Sequence, residues 1–173
     1  MGLISINELR HQKRKNQNRN IMKTTFSRFV LMVLAYLVPT MILGMVWHFV
    51  WFNDVYETLG SYNRKDPIIP LGFTSMFFQG VIIAYLYPYF ADNKHSMARS
   101  IGFSLIMGFF LFTVSTLANG AKIEVTSMID WLWVQSLFTL VQFIIVGLLL
   151  GWAYNKGSEF SKMLKIKSIQ NLQ

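Results

Sequence analysis

The 173-residue chain has no cysteine. That excludes disulfides, thiolate nucleophiles, iron–sulfur ligation and covalently attached c-type haem, and says nothing of compartment. Histidine is almost as scarce. Of three, only His48 lies inside an apolar run, so one chain cannot hold a b-type haem between two intramembrane histidines. Acidic residues number eight against sixteen Lys and Arg, and no cofactor-binding motif or metal motif such as H-E-x-x-H occurs. No cleavable signal peptide is expected. The first apolar run is longer than a signal h-region, follows some 28 polar and basic residues, and lacks a small-residue cleavage site. The start Met-Gly-Leu-Ile-Ser-Ile also misses the myristoylation pattern, which needs Ser or Thr where Ile6 stands.

What the chain does hold is apolar residues, at 53% with 16% aromatic, too many for an ordinary soluble domain. They are gathered in four stretches: Phe29–Phe52, Leu71–Phe90, Ser100–Ala118 and Ile129–Tyr154. Each rises 1.5 Å per residue as a helix, so about twenty residues cross the roughly 30 Å of hydrocarbon. The only charge in any of them is Asp130, at the edge of the fourth. If both termini share a side, thirteen of the sixteen Lys and Arg lie on it and three on the other. Cytoplasmic segments carry that bias. The expectation is an all-α integral membrane protein, an up-down-up-down bundle of four transmembrane helices with both termini cytoplasmic.

Three segments follow. Residues 1–28 form a basic N-terminal anchor, partly helical on the lipid surface; 29–154 form the transmembrane domain; 155–173 form a basic amphipathic tail. In a soluble protein a net charge of +8 would suggest nucleic acid. Here the basic residues flank membrane spans, so the expected partners are the bilayer and anionic lipid of the inner leaflet, and no nucleic acid is expected.

Pro39 near the middle of the first span predicts a kink. The connection from Asn53 to Pro70 is too long for a simple turn, and part of it should extend the first helix or lie across the bundle mouth. The short connection from Ala91 to Arg99 implies that the second and third helices are neighbours. Ser127-x-x-Asp130 reads as a capping box opening the fourth. Trp47, Trp51, Trp131 and Trp133 at one set of ends, with Trp152, Tyr154 and the tyrosines of span two at the other, read as interfacial belts.

Small residues recur four apart at Gly80 and Ala84, Ser104 and Gly108, and Gly147 and Gly151, a spacing that lets helix backbones approach closely in lipid. Gly147-x-x-x-Gly151 serves either packing within one chain, the favoured reading, or a homo-oligomer. Gln79 and Gln142 sit near the midplane. An unpaired amide there is costly, so they are expected to meet across the core as a polar pair. Gln135, Thr139 and Gln142 form one stripe. The densest group of chemically able side chains surrounds His48. With Asp54, Glu57, Glu124 and Asp130 it is a candidate metal site or proton-transfer site at the outer mouth, with His48, Asp54, Glu57 and Asp130 as catalytic candidates. The plain alternatives are a belt histidine, a helix cap at Asp130 and surface pairs.

The pattern Trp47…Tyr56-x-x-Leu59-Gly60…Pro67, then Gly80, Gly108, Thr113…Asn119 and Asp130-Trp131, resembles small four-helix bacterial inner-membrane proteins of a domain-of-unknown-function family. The resemblance spans most of 29–154 and implies a bacterial inner-membrane location and a four-helix fold. Members carry an acidic residue early in the first helix, where this chain reads Ile42-Leu43-Gly44-Met45, and the resemblance implies no activity. The leading functional expectation is a non-catalytic accessory, assembly or scaffold subunit. The alternatives are an oligomeric small-solute or ion transporter, and an intramembrane enzyme or lipid-binding protein with a site near His48. A sealed core favours the scaffold, a continuous polar path past both glutamines favours transport, and a pocket at His48 favours the last.

Overall fold

The computed structural model describes the backbone of residues 6–60, 68–91 and 96–170, and the side chains of 26–60, 68–91 and 96–157. Among the described residues there are helices and turns and no strand. Helix α1 (Ile6–Val46) passes into a π-helical segment, Trp47–Trp51, and then into the short α2 (Asn53–Thr58). Next come α3 (Ile69–Ala91) and α4 (Met97–Phe112). A second π-helical segment, Thr113–Leu117, leads from α4 into the one-turn α5 (Ala118–Gly120), and α6 (Met128–Gln170) ends the described chain.

Four stretches are long and apolar enough to cross a membrane: Phe26–Trp51, Ile69–Ala91, Met97–Gly120 and Met128–Gly157. The fold is that of an all-α, multi-pass membrane protein. Hydrocarbon offers no partner to a backbone amide, so apolar runs of this length close their own hydrogen bonds as helices. Helix α1 runs through Pro39. Both α1 and α6 continue beyond their spans into the basic flanks. Apart from Arg28 and Lys156, the basic side chains expected to make the N-terminal anchor and the amphipathic tail lie outside the described residues, as do Arg64, Lys65 and Pro67.

Local signals place the helix ends. The Ser127 hydroxyl accepts from the Asp130 amide at 3.3 Å, and the Ser96 hydroxyl accepts from the Arg99 amide at 3.2 Å, each satisfying a first-turn donor that the helix cannot. Gly60 ends α2 with φ of 66°, a left-handed conformation that glycine adopts without steric cost. The exposed carbonyls at the end of α2 are then capped from the third connection. The Thr126 amide donates to Leu59 O at 3.2 Å and its hydroxyl to Thr58 O at 2.9 Å. The first and third connections are thus pinned together at one end of the bundle, called here the Trp47 end. At the opposite, Arg28 end, the guanidinium of Arg28 lies 5.0 Å from the Tyr154 ring, and Tyr87 and Ser100 share a buried hydroxyl–hydroxyl bond.

Helix α6 is the hub, packed along both α1 and α4, while α3 rests mainly on α1. In lipid, apolar burial supplies no drive for helix association, so close van der Waals approach must supply it. Glycine makes that approach possible. A Cβ on Gly147 would stand 2.7 Å from Ile101 Cα, one on Gly151 2.6 Å from Ser100 Oγ, and one on Gly108 2.5 Å from the Phe143 ring. The GxxxG of α6 is therefore filled by α4 of the same chain, with Ser104 also lying against Gly147. Gly80 brings α3 against α1, where a Cβ would meet Tyr36 at 3.1 Å, and Ala84 is fully buried one turn on. Contacts between α3 and α4 are few and include those near their connection: Ala91 with Arg99, and Tyr87 and Phe90 with Phe103. The two helices expected to be neighbours meet at that end. Every described residue from Ile68 to Ser75 is exposed, so the first two turns of α3 stand away from the bundle.

The tryptophans at the Trp47 end divide in two, where the sequence reads as one belt. Trp51 and Trp133 are 63% and 68% exposed, whereas Trp47 and Trp131 are 4% and 5% exposed. The buried pair forms a cap cluster with Tyr56 and Leu59, because α2 folds back across the bundle mouth and covers them.

Gly147→Ala is expected to destabilise the protein by about 1–3 kcal/mol, since its methyl would press on α4 backbone. Gly102→Ala, where nothing lies within 4 Å, should be neutral or gain roughly 0.5–1 kcal/mol from helix propensity. Unfolding of both variants in detergent checks the contrast, and equal behaviour would contradict the packing described.

Candidate functional site

A cavity of about 370 Å³ opens inside the bundle between the Trp47 end and mid-span. Helix α1 and its π-helical extension supply Tyr36, Thr40, Gly44 and His48, a run of residues four apart that forms one stripe. Helix α6 faces it with Trp131, Gln135, Phe138, Thr139, Gln142 and Phe143. Met76 and Gln79 come from α3, and Leu111, Phe112, Ser115 and Asn119 from the end of the third span. None of these is Asp, Glu, Lys or Arg. Hydroxyls and amides make the rest of the polar lining.

Tyr36 organises the floor. It is fully buried, and its hydroxyl donates to Gln79 Oε1 at 2.5 Å, while Gln79 Nε2 donates to Ser75 at 3.2 Å. Gln142 Nε2 donates to the Thr40 hydroxyl at 3.2 Å. The two glutamines expected to meet thus line one cavity without bonding each other. The first span runs between them, and each amide finds its partner on α1. Below this level Val146, Leu150, Ile83, Ala84 and Tyr87 belong to one buried cluster. The polar lining does not continue to the Arg28 end.

Both π-helical segments border the cavity, one through His48 and the other through Ser115. A π turn widens the helix by one residue and is frequent at functional sites. The His48 ring lies 4.6 Å from that of Tyr56 and 5.0 Å from that of Phe138, held in an aromatic bracket. Trp131 forms part of the wall, and its buried indole nitrogen has no hydrogen-bond partner. That nitrogen packs against Gly120, where a Cβ would sit 3.1 Å from it.

The acids proposed to join His48 are not brought to it. Asp54 and Asp130 border a separate surface groove of about 550 Å³, with Thr58, Thr126 and Trp133. Glu57 accepts from Asn53 at 3.0 Å on the surface, and Glu124 is exposed. Among the described residues no three His, Asp or Glu side chains lie where they could share a metal ion. The physical reason is the π-helical turn followed by α2. It directs His48 inward and carries Asp54 and Glu57 over the top of the bundle. Tyr36 and Ser115 are not singled out by the sequence, and Thr40 and Gly44 are read there only with Pro39 as hinge residues of the first span. The four-residue spacing from Tyr36 to His48 was the available signal.

No family model, curated protein or solved structure matches the chain.

Interhelical hydrogen bonds of this kind contribute roughly 0.6 kcal/mol on average and up to about 1.7. Double-mutant cycles of Tyr36→Phe with Gln79→Leu, and of Thr40→Val with Gln142→Leu, are expected to give coupling in that range by unfolding in detergent. Zero coupling in either cycle would remove that contact from the floor of the cavity.

Proposed function

We propose that this protein is a non-catalytic accessory protein of the bacterial inner membrane that binds an uncharged, hydrogen-bonding molecule in the cavity at the Trp47 end. The observation that carries the reading is the cavity itself. It is about 370 Å³ in volume, within the roughly 300–1,000 Å³ usual for small-molecule sites, and sets hydroxyls and amides among apolar walls. A scaffold needs only a sealed core and has no use for buried amides and hydroxyls around a space. An ion or solute path usually shows charged or acidic groups along its length, and here the polar lining stops at Tyr36 and Phe143. Of the readings open from the sequence, ligand binding at the His48 mouth gains most from the geometry. An accessory role fits it, since the only polar groups among the cavity's lining residues besides His48 are hydroxyls, amides and the Trp131 indole. The charge asymmetry and the family resemblance support cytoplasmic termini, with the Trp47 end facing outward.

Gly44 offers a clean test, because it lines the cavity and a Cβ there meets nothing within 4 Å. Gly44→Leu is expected to fold as well as the parent and fill the space. Gly72→Leu, equally unobstructed but exposed and outside the cavity, is the control. Gentle extraction from native membranes followed by mass analysis should find a small neutral molecule with the parent and with Gly72→Leu, and lose it with Gly44→Leu. The same neutral load on all three proteins, or none on any, would overturn the binding reading. A stoichiometric protein partner in the same preparation is the expected sign of the accessory role.

A further inference from the structure

A second space lies beside the polar cavity, and the two together describe the shape of an occupant; the inference rests on the binding reading above. This space is a groove of about 280 Å³ between α4 and α6. Leu105, Gly108 and Phe109 line it from α4, and Ser136 and Leu140 from α6. Phe109 and Leu140, 68% and 49% exposed, form its outward rim. Gly108 stands eleven residues from one limit of the span Met97–Gly120 and twelve from the other. At 1.5 Å per residue that is about 16–18 Å from either end, the middle of the hydrocarbon. The groove therefore faces acyl chains, and a hydrocarbon tail is what can fill it.

Groove and cavity have three residues in common, for Phe112, Thr139 and Phe143 line both. The Phe143 ring presses into the space that Gly108 leaves without a Cβ, which fixes one wall shared by the two. Their chemistry differs. The polar members of the groove are Ser136 and Thr139, and the Thr139 hydroxyl is already given to Gln135 O at 2.8 Å. The cavity beyond presents the hydroxyls of Thr40 and Ser115 and the amides of Asn119, Gln135 and Gln142. Hydroxyls and amides both donate and accept, so they suit a head group that does the same. No Asp, Glu, Lys or Arg lines either space. No fixed charge is there to offset that of a phosphate or an ammonium group, whose burial unpaired is prohibitive.

We infer that cavity and groove together seat one uncharged, single-tailed lipid. Its hydroxyl-bearing head lies in the polar cavity, and its tail passes Phe112, Thr139 and Phe143 to lie in the groove between α4 and α6. A cleft between two helices houses one tail, and a lipid with two would leave the second outside.

The probe is monooleoylglycerol with a diazirine at the middle of its tail, photolysed with the full-length protein in phosphatidylcholine nanodiscs. Peptide mass analysis then reads the labelled residues. Labelling at Leu105 and Phe109 is expected to be saturable and about tenfold above that at Phe77 and Phe78, which are exposed on α3 and line neither space. A phosphatidylcholine bearing the same diazirine tail should label the two faces alike. Unlabelled monooleoylglycerol should remove the excess, and lysophosphatidylcholine, with the same tail and a charged head, should be about tenfold less effective. Gly44→Leu fills the space of the head and Leu140→Trp narrows that of the tail. Each should lower the excess about tenfold, while Gly72→Leu leaves it unchanged. A monooleoylglycerol pattern no different from that of phosphatidylcholine would overturn the inference. Equal competition by lysophosphatidylcholine would overturn the uncharged head, and full labelling in Gly44→Leu would overturn the sharing of one occupant by cavity and groove. A neutral molecule without a hydrocarbon tail in the native extract would sink this inference and leave the binding reading standing; no bound molecule at all would sink both.

Discussion

The fold depends on a tyrosine laid against a glycine. In hydrocarbon a polar group has only protein to bond to, and apolar surface gains little by leaving lipid for protein. Tyr36 answers both constraints. Its ring occupies the space that Gly80 leaves without a Cβ, holding α3 against α1. Its hydroxyl satisfies Gln79 on α3, and its ring lies 6.2 Å from that of Phe143 on α6. Three of the four spanning segments therefore meet at one side chain, and the polar half of the bundle begins where that side chain ends.

Above and below Tyr36 the bundle is built by different rules. Toward the Arg28 end, Gly147 and Gly151 lock α6 onto α4 at backbone distance, and the serines there are turned inward among apolar neighbours. Toward the Trp47 end the helices part, α3 diverges, and side chains that bond across the bundle replace glycine contacts. A tightly packed half carries the stability that allows the other half to stay open. The cap of Trp47, Tyr56, Leu59 and Trp131, tied down by Thr126, then holds the parted ends at a fixed spacing.

The number of spans and their limits were legible in the sequence because hydrocarbon thickness sets length and excludes charge. Every predicted limit lies within three residues of a spanning helix end. The in-chain use of Gly147 and Gly151 was legible as one of two options, since spacing shows that a face is smooth and not what covers it. Other features were hidden. That Gln79 and Gln142 share a cavity followed from their depth, but their partners depend on which helix lies between them. The inward turn of His48, away from Asp54 and Glu57, depends on a π-helical segment that has no composition signature. The burial of Trp47 and Trp131 beside exposed Trp51 and Trp133 depends on α2 folding over the mouth, a long-range event.

The two π-helical segments have a further consequence for register. Each residue of an α-helix turns the chain by about 100°, so a wide turn that absorbs one extra residue leaves the helix on either side facing independently chosen directions. In the first span, Tyr36 and Thr40 address α3 and α6, while beyond the wide turn α2 addresses the roof. In the third span, Gly108 addresses Phe143, while beyond its wide turn Gly120 addresses Trp131. Roof and floor are thus rotationally uncoupled, and a chain can alter the shape of its mouth without disturbing the glycine contacts that hold its base.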